Sequence, residues 1–130
     1  MKFLKRNGFT LIELMILVSI ASILITMAYP SYMQYATKAS RAAAQSEMMA
    51  IADRQQRFLL THRAYADKST LEANGYFLPA NVSTRYSYAI VLGKGAAPSF
   101  TLIFTPIGAQ AGDGDLMLAS SGVKTPIDKW

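Results

Sequence analysis

Apolar and polar positions are distributed along this chain in three regimes. From Phe9 to Tyr29 apolar residues are almost uninterrupted, with Glu13 as the one charge. At about 1.5 Å per residue such a segment spans roughly 30 Å as a helix, the thickness of a bilayer's hydrocarbon core. From Ser31 to His62 the pattern becomes amphipathic: Ala44, Met48, Ile51, Gln55, Phe58 and His62 recur at spacings of three and four, with Ala52 and Leu59 beside them. Lys38, Arg41, Glu47, Arg54 and Arg57 fall off that stripe and read as its wet side. Between the two regimes Pro30 lacks the backbone N–H that a helix interior needs, so a kink is expected there.

In the third regime the period shortens to two. Residues 63–85 read as a connecting loop, with turn signals at Asn74-Gly75 and Leu78-Pro79. Tyr86 to Leu92 alternates, Gly93 to Pro98 turns the chain, and Ser99 to Thr105 returns with Phe100, Leu102 and Phe104 on one face. Leu116 to Ala119 is a third short strand between Gly-rich turns. The expected fold class is α+β: a long N-terminal helix whose second half packs on a small antiparallel sheet of about three strands. The segments are 1–8, a basic leader; 9–30, a membrane-spanning helix; 31–62, the second half of the helix; and 63–130, a globular head.

Composition narrows the chemistry. The chain has 130 residues, a formal charge of +5 and no cysteine, so a head of about 70 residues has no disulfide to support it. Its stability must come from packing on the helix. Lys2, Lys5 and Arg6 precede the apolar run without an acidic neighbour, which by the positive-inside bias leaves the N-terminus cytoplasmic and sends the rest across. The run ends in Met27-Ala28-Tyr29-Pro30, which lacks the small-x-small pattern of a signal-peptide cleavage site, so it should remain as an anchor.

Catalytic readings find little to stand on. One histidine, no thiol and no Gly-x-Ser-x-Gly elbow leave no nucleophile–base pair or metal site on a usual plan. His62 reads as a solvated residue near a helix end, and Asp113 and Asp115 beside glycines read as turn residues instead of calcium ligands. Gly93-x-Gly95 leads into a second strand and not into a helix, which makes it a hairpin turn and no phosphate loop. Neither enzymatic activity nor a cofactor or metal is expected.

Glu13 is the exception that calls for a function, because a carboxylate inside a membrane span is costly. Around it, Gly8-Phe9-Thr10-Leu11-Ile12-Glu13 with its basic leader resembles the class III signal of type IV pilins and type II secretion pseudopilins. The resemblance implies a membrane prepilin peptidase that cuts between Gly8 and Phe9 and methylates Phe9. It also implies a filament whose core is a bundle of these helices. A carboxylate in lipid seeks a counter-charge, so Glu13 is expected to pair with the N-terminus at Phe9, within one subunit or, in the filament, that of an adjacent subunit. Downstream, Ser40-Arg41, Gln56-Arg57-Phe58, Ala64-Tyr65, Thr105-Pro106-Ile107-Gly108-Ala109-Gln110, Gly114-Asp115-Leu116-Met117-Leu118, Ser121-Gly122 and Trp130 are similar in order to PilE-type minor pilins. Where that branch usually carries two cysteines, this chain has Asp113 and Lys129, an acid and a base expected to approach each other and clip the tail.

The leading expectation is therefore a type IV pilus subunit, a minor pilin, serving pilus assembly and hence twitching motility, adhesion or DNA uptake. It would wait in the bacterial inner membrane among lipid, single-pass with its C-terminus outside, and end in an extracellular pilus with other pilin subunits. A type II secretion pseudopilin shares the signal and the helix, and the head resemblance favours the pilus over it. A third reading is a filament-borne subunit that binds DNA or a surface through clustered cations, for which Arg85, Lys94, Lys124 and Lys129 are the head candidates. Processing is directly measurable: the intact mass of the membrane form should correspond to a chain beginning at Phe9. Gly8→Val should leave the precursor uncut, and a mature chain that starts elsewhere would contradict the resemblance.

Overall fold

The structure is a computed structural model that describes residues 1–2 and 7–130. Lys5 and Arg6 of the basic leader lie outside the described residues. Helix α1 runs from Leu11 to His62, 52 residues long with Pro30 inside it. By compactness the chain divides into Met1–Ala36 and Thr37–Trp130.

In the first unit, α1 opens with a capping box. The Thr10 hydroxyl accepts from Glu13 N–H at 3.3 Å, and the Glu13 carboxylate accepts from Thr10 N–H at 2.7 Å and from the Thr10 hydroxyl at 2.9 Å. Further along, Ser19, Ser22 and Thr26 donate their hydroxyls to the carbonyls of Met15, Val18 and Ile23, each at 2.7 Å. These hydroxyls need no outside partner, which is the condition for a polar side chain to sit in lipid. The helix continues past Pro30, whose missing N–H leaves the carbonyl four residues earlier, that of Thr26, without its helical donor. The apolar side chains of this stretch are exposed, from Phe9 at 75% to Tyr29 at 62%, and by length and composition α1 is long and apolar enough to cross a membrane.

The second unit holds the head. Strands β1 (Tyr86–Leu92), β2 (Phe100–Pro106), β3 (Leu116–Ala119) and β4 (Lys124–Thr125) form one antiparallel sheet in the order β1-β2-β3-β4. β1 and β3 begin and end where the alternation places them, and β2 is shifted by one residue. The fourth strand, opposite Met117 and Leu118, is too short for an alternating pattern to reveal. The stripe on α1 packs as its spacing requires: Ala44, Met48, Ile51 and Gln55 are buried, with Phe58 half-buried and His62 exposed on top of it, ring centroids 4.0 Å apart. From the sheet, Tyr86, Tyr88, Phe100, Leu102, Phe104, Leu116 and Leu118 meet them in one core. Each large side chain so buried contributes on the order of 1.5–3 kcal/mol.

The segment 63–85 is not a plain loop. It contains α2 (Lys68–Ala73) and α3 (Ala80–Ser83), which drop Leu71 and Val82 into the core. Asp67 caps α2, its Oδ1 accepting from Thr70 N–H at 2.8 Å, and these Thr70 bonds hold its carboxyl below the usual range. The Asn74-Gly75 turn signal proves to be a helix terminator. Gly75 has φ 89°, its N–H bonds to the Glu72 carbonyl, and Tyr76 N–H bonds to the Leu71 carbonyl, the paired pattern of a Schellman cap. Helices of six and four residues are below the length at which periodicity is visible in sequence.

Gln55 is the polar member of the α1 stripe, fully buried, and it earns that place by pairing twice with one residue. Its Nε2 donates to the Ala66 carbonyl at 2.6 Å and its Oε1 accepts from Ala66 N–H at 2.8 Å, which stitches the chain to α1 just after the helix ends. Leucine at this position would fill the space and strand both backbone groups, each at a cost of about 1–3 kcal/mol. Gln55→Leu should thus lower the melting temperature of the full chain in detergent by more than about 10 °C, read by near-ultraviolet circular dichroism. Retention of the wild-type melt would mean that the stitch is dispensable.

Candidate functional site

Two sites emerge from the residues that the sequence singles out. At the N-terminus, Gly8 and Phe9 are exposed and precede the helix, and a β-carbon at Gly8 would meet nothing within 4 Å. Among the described residues nothing in the fold calls for glycine at position 8. Glu13 is exposed on the first turn and, among the described residues, is bonded by Thr10. Its local role is the capping box, which satisfies both the carboxylate and an otherwise unpaired N–H of the helix start.

The second site is on the head, around Asp113. This residue ends a 3-10 helix, Gly108–Asp113, that begins at Gly108 with φ 58° and leads into Gly114 with φ 84°, conformations that suit glycine. The turn carries the carboxylate back to α1. There it receives the two-pronged guanidinium of Arg41, Nε to Oδ2 at 2.7 Å and Nη2 to Oδ1. Tyr86 donates its hydroxyl to Oδ2 at 3.3 Å, and Gln110 Nε2 reaches Oδ2 at 3.2 Å and the Thr37 carbonyl at 2.9 Å. The Lys129 amino group stands farther out, 3.9 Å from Oδ1. Arg41 is thus not on a wet face of α1. Its partner lies 72 residues away in sequence, which helical spacing cannot reveal. Likewise Glu47 accepts from the Tyr76 hydroxyl at 2.9 Å, and the Arg54 guanidinium lies over the Tyr76 ring at 5.2 Å.

The tail is held by more than charge. Gln45 donates to the Lys129 carbonyl at 2.6 Å, Trp130 packs against the core, and the Lys124 amino group sits 5.0 Å from the Trp130 ring centroid. Trp130 Nε1 is buried and has no acceptor among the described residues. Gln45, Tyr86 and Gln110 escaped the sequence reading; Gln110 carried a signal, standing last in the Thr105-Pro106-Ile107-Gly108-Ala109-Gln110 stretch. The four head cations do not gather in one patch. Lys124 and Lys129 serve the tail, Arg85 offers its carbonyl to Ile107 N–H at the start of β1, and Lys94 stands in the β1–β2 turn. Among the described residues no group of three or more His, Asp or Glu side chains is placed to hold a metal ion.

Arg41 hydrogen bonding holds the Asp113 carboxyl below its usual range, and Gln110 and Lys129 act in the same direction against partial burial. A depressed carboxyl stabilises the fold above its unfolded value of about 3.9 and loses that contribution as pH falls through the lower folded value. Removing one member of a largely buried pair costs roughly 3–5 kcal/mol, whereas a looser, more exposed pair is worth about 0–1 kcal/mol. Arg41→Ala should accordingly destabilise the head at pH 7 by about 3 kcal/mol and flatten its loss of stability below pH 4, with Lys129→Ala costing under about 1 kcal/mol. Denaturant melts from pH 2 to 7 measure both, and equal costs for the two substitutions would refute this ranking of partners.

Comparison with known proteins places these features together. Residues 30–116 match the family described as type IV minor pilin ComP, DNA uptake sequence receptor, and residues 4–29 match the prokaryotic N-terminal methylation motif. The chain is also 32% identical over 95 residues to the type IV major pilin protein PilA of Myxococcus xanthus (strain DK1622), an alignment covering 72% of this chain and 41% of that protein. It therefore spans less than half the length of that relative. No solved structure matches the chain. Because the minor pilin match covers well over half of the chain, from Pro30 within α1 to the start of β3, and adjoins the methylation motif, this chain belongs to the type IV minor pilin family of the ComP kind.

Proposed function

We propose that this minor pilin captures DNA at the end of its head while built into a type IV pilus. The observation that carries the proposal is the match of residues 30–116 to a family whose description names a DNA uptake sequence receptor. The head supports it electrostatically. Arg63 follows α1, and the next residues, Ala64 and Tyr65, line a shallow hollow with Gly93, Gly95 and Ser99 of the turn that carries Lys94. Two exposed cations thus flank one end of the head, Arg63 on a backbone with φ 58° and Lys94 on a hairpin turn, and both are open to phosphates.

Before assembly, the subunit resides in the inner membrane through residues 9–30, with its N-terminus cytoplasmic and its head across the bilayer. A prepilin peptidase cuts between Gly8 and Phe9 and methylates Phe9. The Glu13 carboxylate, satisfied until then by Thr10, pairs in the filament with the cationic N-terminus of a neighbour, which lowers the cost of packing the helices and sets their register. Pro30 lets α1 bend as the subunit leaves the membrane. Asp113 and Lys129, with Gln45, clip the tail to the head in place of a disulfide.

Anisotropy titrations of labelled duplex DNA with the full chain in detergent, at several salt concentrations, test the DNA reading. Arg63→Asn keeps a residue that tolerates positive φ; combined with Lys94→Ala it should weaken binding at least tenfold and make the log–log salt slope shallower by about 2. DNA uptake should fall in cells while piliation persists. An unchanged slope, or a wild-type chain with no affinity for duplex DNA, would overturn it.

A further inference from the structure

The first unit carries a feature that DNA capture does not use. From Leu14 to Thr37 there is no charged side chain, 24 residues that extend about 36 Å as helix. This exceeds the roughly 30 Å of a hydrocarbon core, so one end of the run must lie outside it. Leu11 to Ala28 is aliphatic, methionine or small throughout apart from Glu13, and covers about 27 Å. Its hydroxyls on Ser19, Ser22 and Thr26 are returned to the helix backbone.

At Tyr29 the composition changes. Tyr29, Tyr32 and Tyr35 are 62%, 67% and 73% exposed, and no charge follows until Lys38. Their spacing of three keeps all three within a 120° arc of the helix and spreads them over about 9 Å of its axis. That length covers the whole depth of one interfacial zone, about 5–7.5 Å from the difference between a full bilayer of about 40–45 Å and its core of about 30 Å divided over two faces, and leaves the ring of one tyrosine at its edge. A tyrosine hydroxyl, at the tip of a rigid ring, cannot fold back on its own helix as serine does. The ring favours an apolar neighbour while the hydroxyl needs water or a polar headgroup, a combination met at the membrane–water boundary. Pro30 fits the same depth, because the Thr26 carbonyl it frees needs a donor that the hydrocarbon core lacks and the boundary supplies.

We propose that Tyr29, Tyr32 and Tyr35 form an interfacial anchor seated among the phospholipid headgroups where α1 leaves the bilayer, fixing how deep the subunit sits before it is drawn into a filament. This rests on the membrane-spanning reading of residues 9–30. The anchor gives the waiting subunit one depth, whereas an uncharged run longer than the core would otherwise slide or tilt.

The absence of native cysteine makes the depth directly readable. Single cysteines at Val18, Ala28, Ser31, Gln34 and Thr37 of the full chain would be probed in spheroplasts with a membrane-impermeant maleimide. In the parent chain, labelling should switch on sharply between Ala28 and Gln34. With Tyr29, Tyr32 and Tyr35 all changed to Ala, the boundary should move or spread by at least one helical turn; with all three changed to Trp it should stay in place. An unchanged boundary in the alanine variant overturns the anchor, and if that variant also fails to enter pili the tyrosines belong to subunit packing. Labelling of Val18 as strong as that of Thr37 in the parent chain removes the membrane span itself, a separate failure that the tyrosine variants do not produce.

Discussion

The head depends on one face of one helix. A single four-stranded sheet has two faces and encloses nothing by itself, and with no cysteine in the chain there is no covalent staple to compensate. Ala44, Met48, Ile51 and Gln55 supply the missing layer, and around them Tyr86, Phe104, Leu102 and Leu116 are fully or almost fully buried. Small residues matter as much as large ones in that contact. Ala44, like Met48 and Ile51 farther along the stripe, is at zero exposure, so the small side chain is enclosed as completely as the large ones.

Polar contacts then fix how the remaining pieces attach to that layer. Gln55 fastens the chain after α1, the Tyr76 and Tyr88 hydroxyls donate to Glu47 and Glu72, and Asp113 closes on Arg41. Burial and these carboxylate partners push both phenols above their ordinary range, so neither ionises near neutral pH. The division of labour follows from physics. Apolar burial is strong but non-directional, whereas a hydrogen bond to a specific carboxylate or backbone group specifies which segment lies where. Asp113 gathers donors from α1, from β1 and from its own turn, which makes it the point where the head's separate segments are registered to one another.

Helix α1 changes character along its length. Up to about Tyr35 its large side chains are exposed and its hydroxyls turn inward to the backbone, and from Ala44 it presents an amphipathic stripe with its charged residues partnered or wet. The two compositions follow each other without a glycine, and a proline is the one break in helix-forming sequence between them.

The sequence by itself determined the elements whose signal is periodic and long: the apolar run, the α1 stripe, β1, β2 and β3, and the N-terminal hexapeptide that leads to the family. Those features are set by neighbours within a few residues, where side-chain periodicity and backbone geometry act directly. Only the tertiary structure decided the rest. Helices α2 and α3 and strand β4 are too short to carry a period, and caps and core contacts at Leu71 and Val82 define them. Arg41 sits off the apolar stripe by spacing, yet the fold gives it a largely buried partner, and Asp113, matched in sequence with Lys129, takes its closest contacts from α1. A charge on a helix faces water or a partner according to what the chain brings back beside it many residues later, and that return is a property of the whole fold.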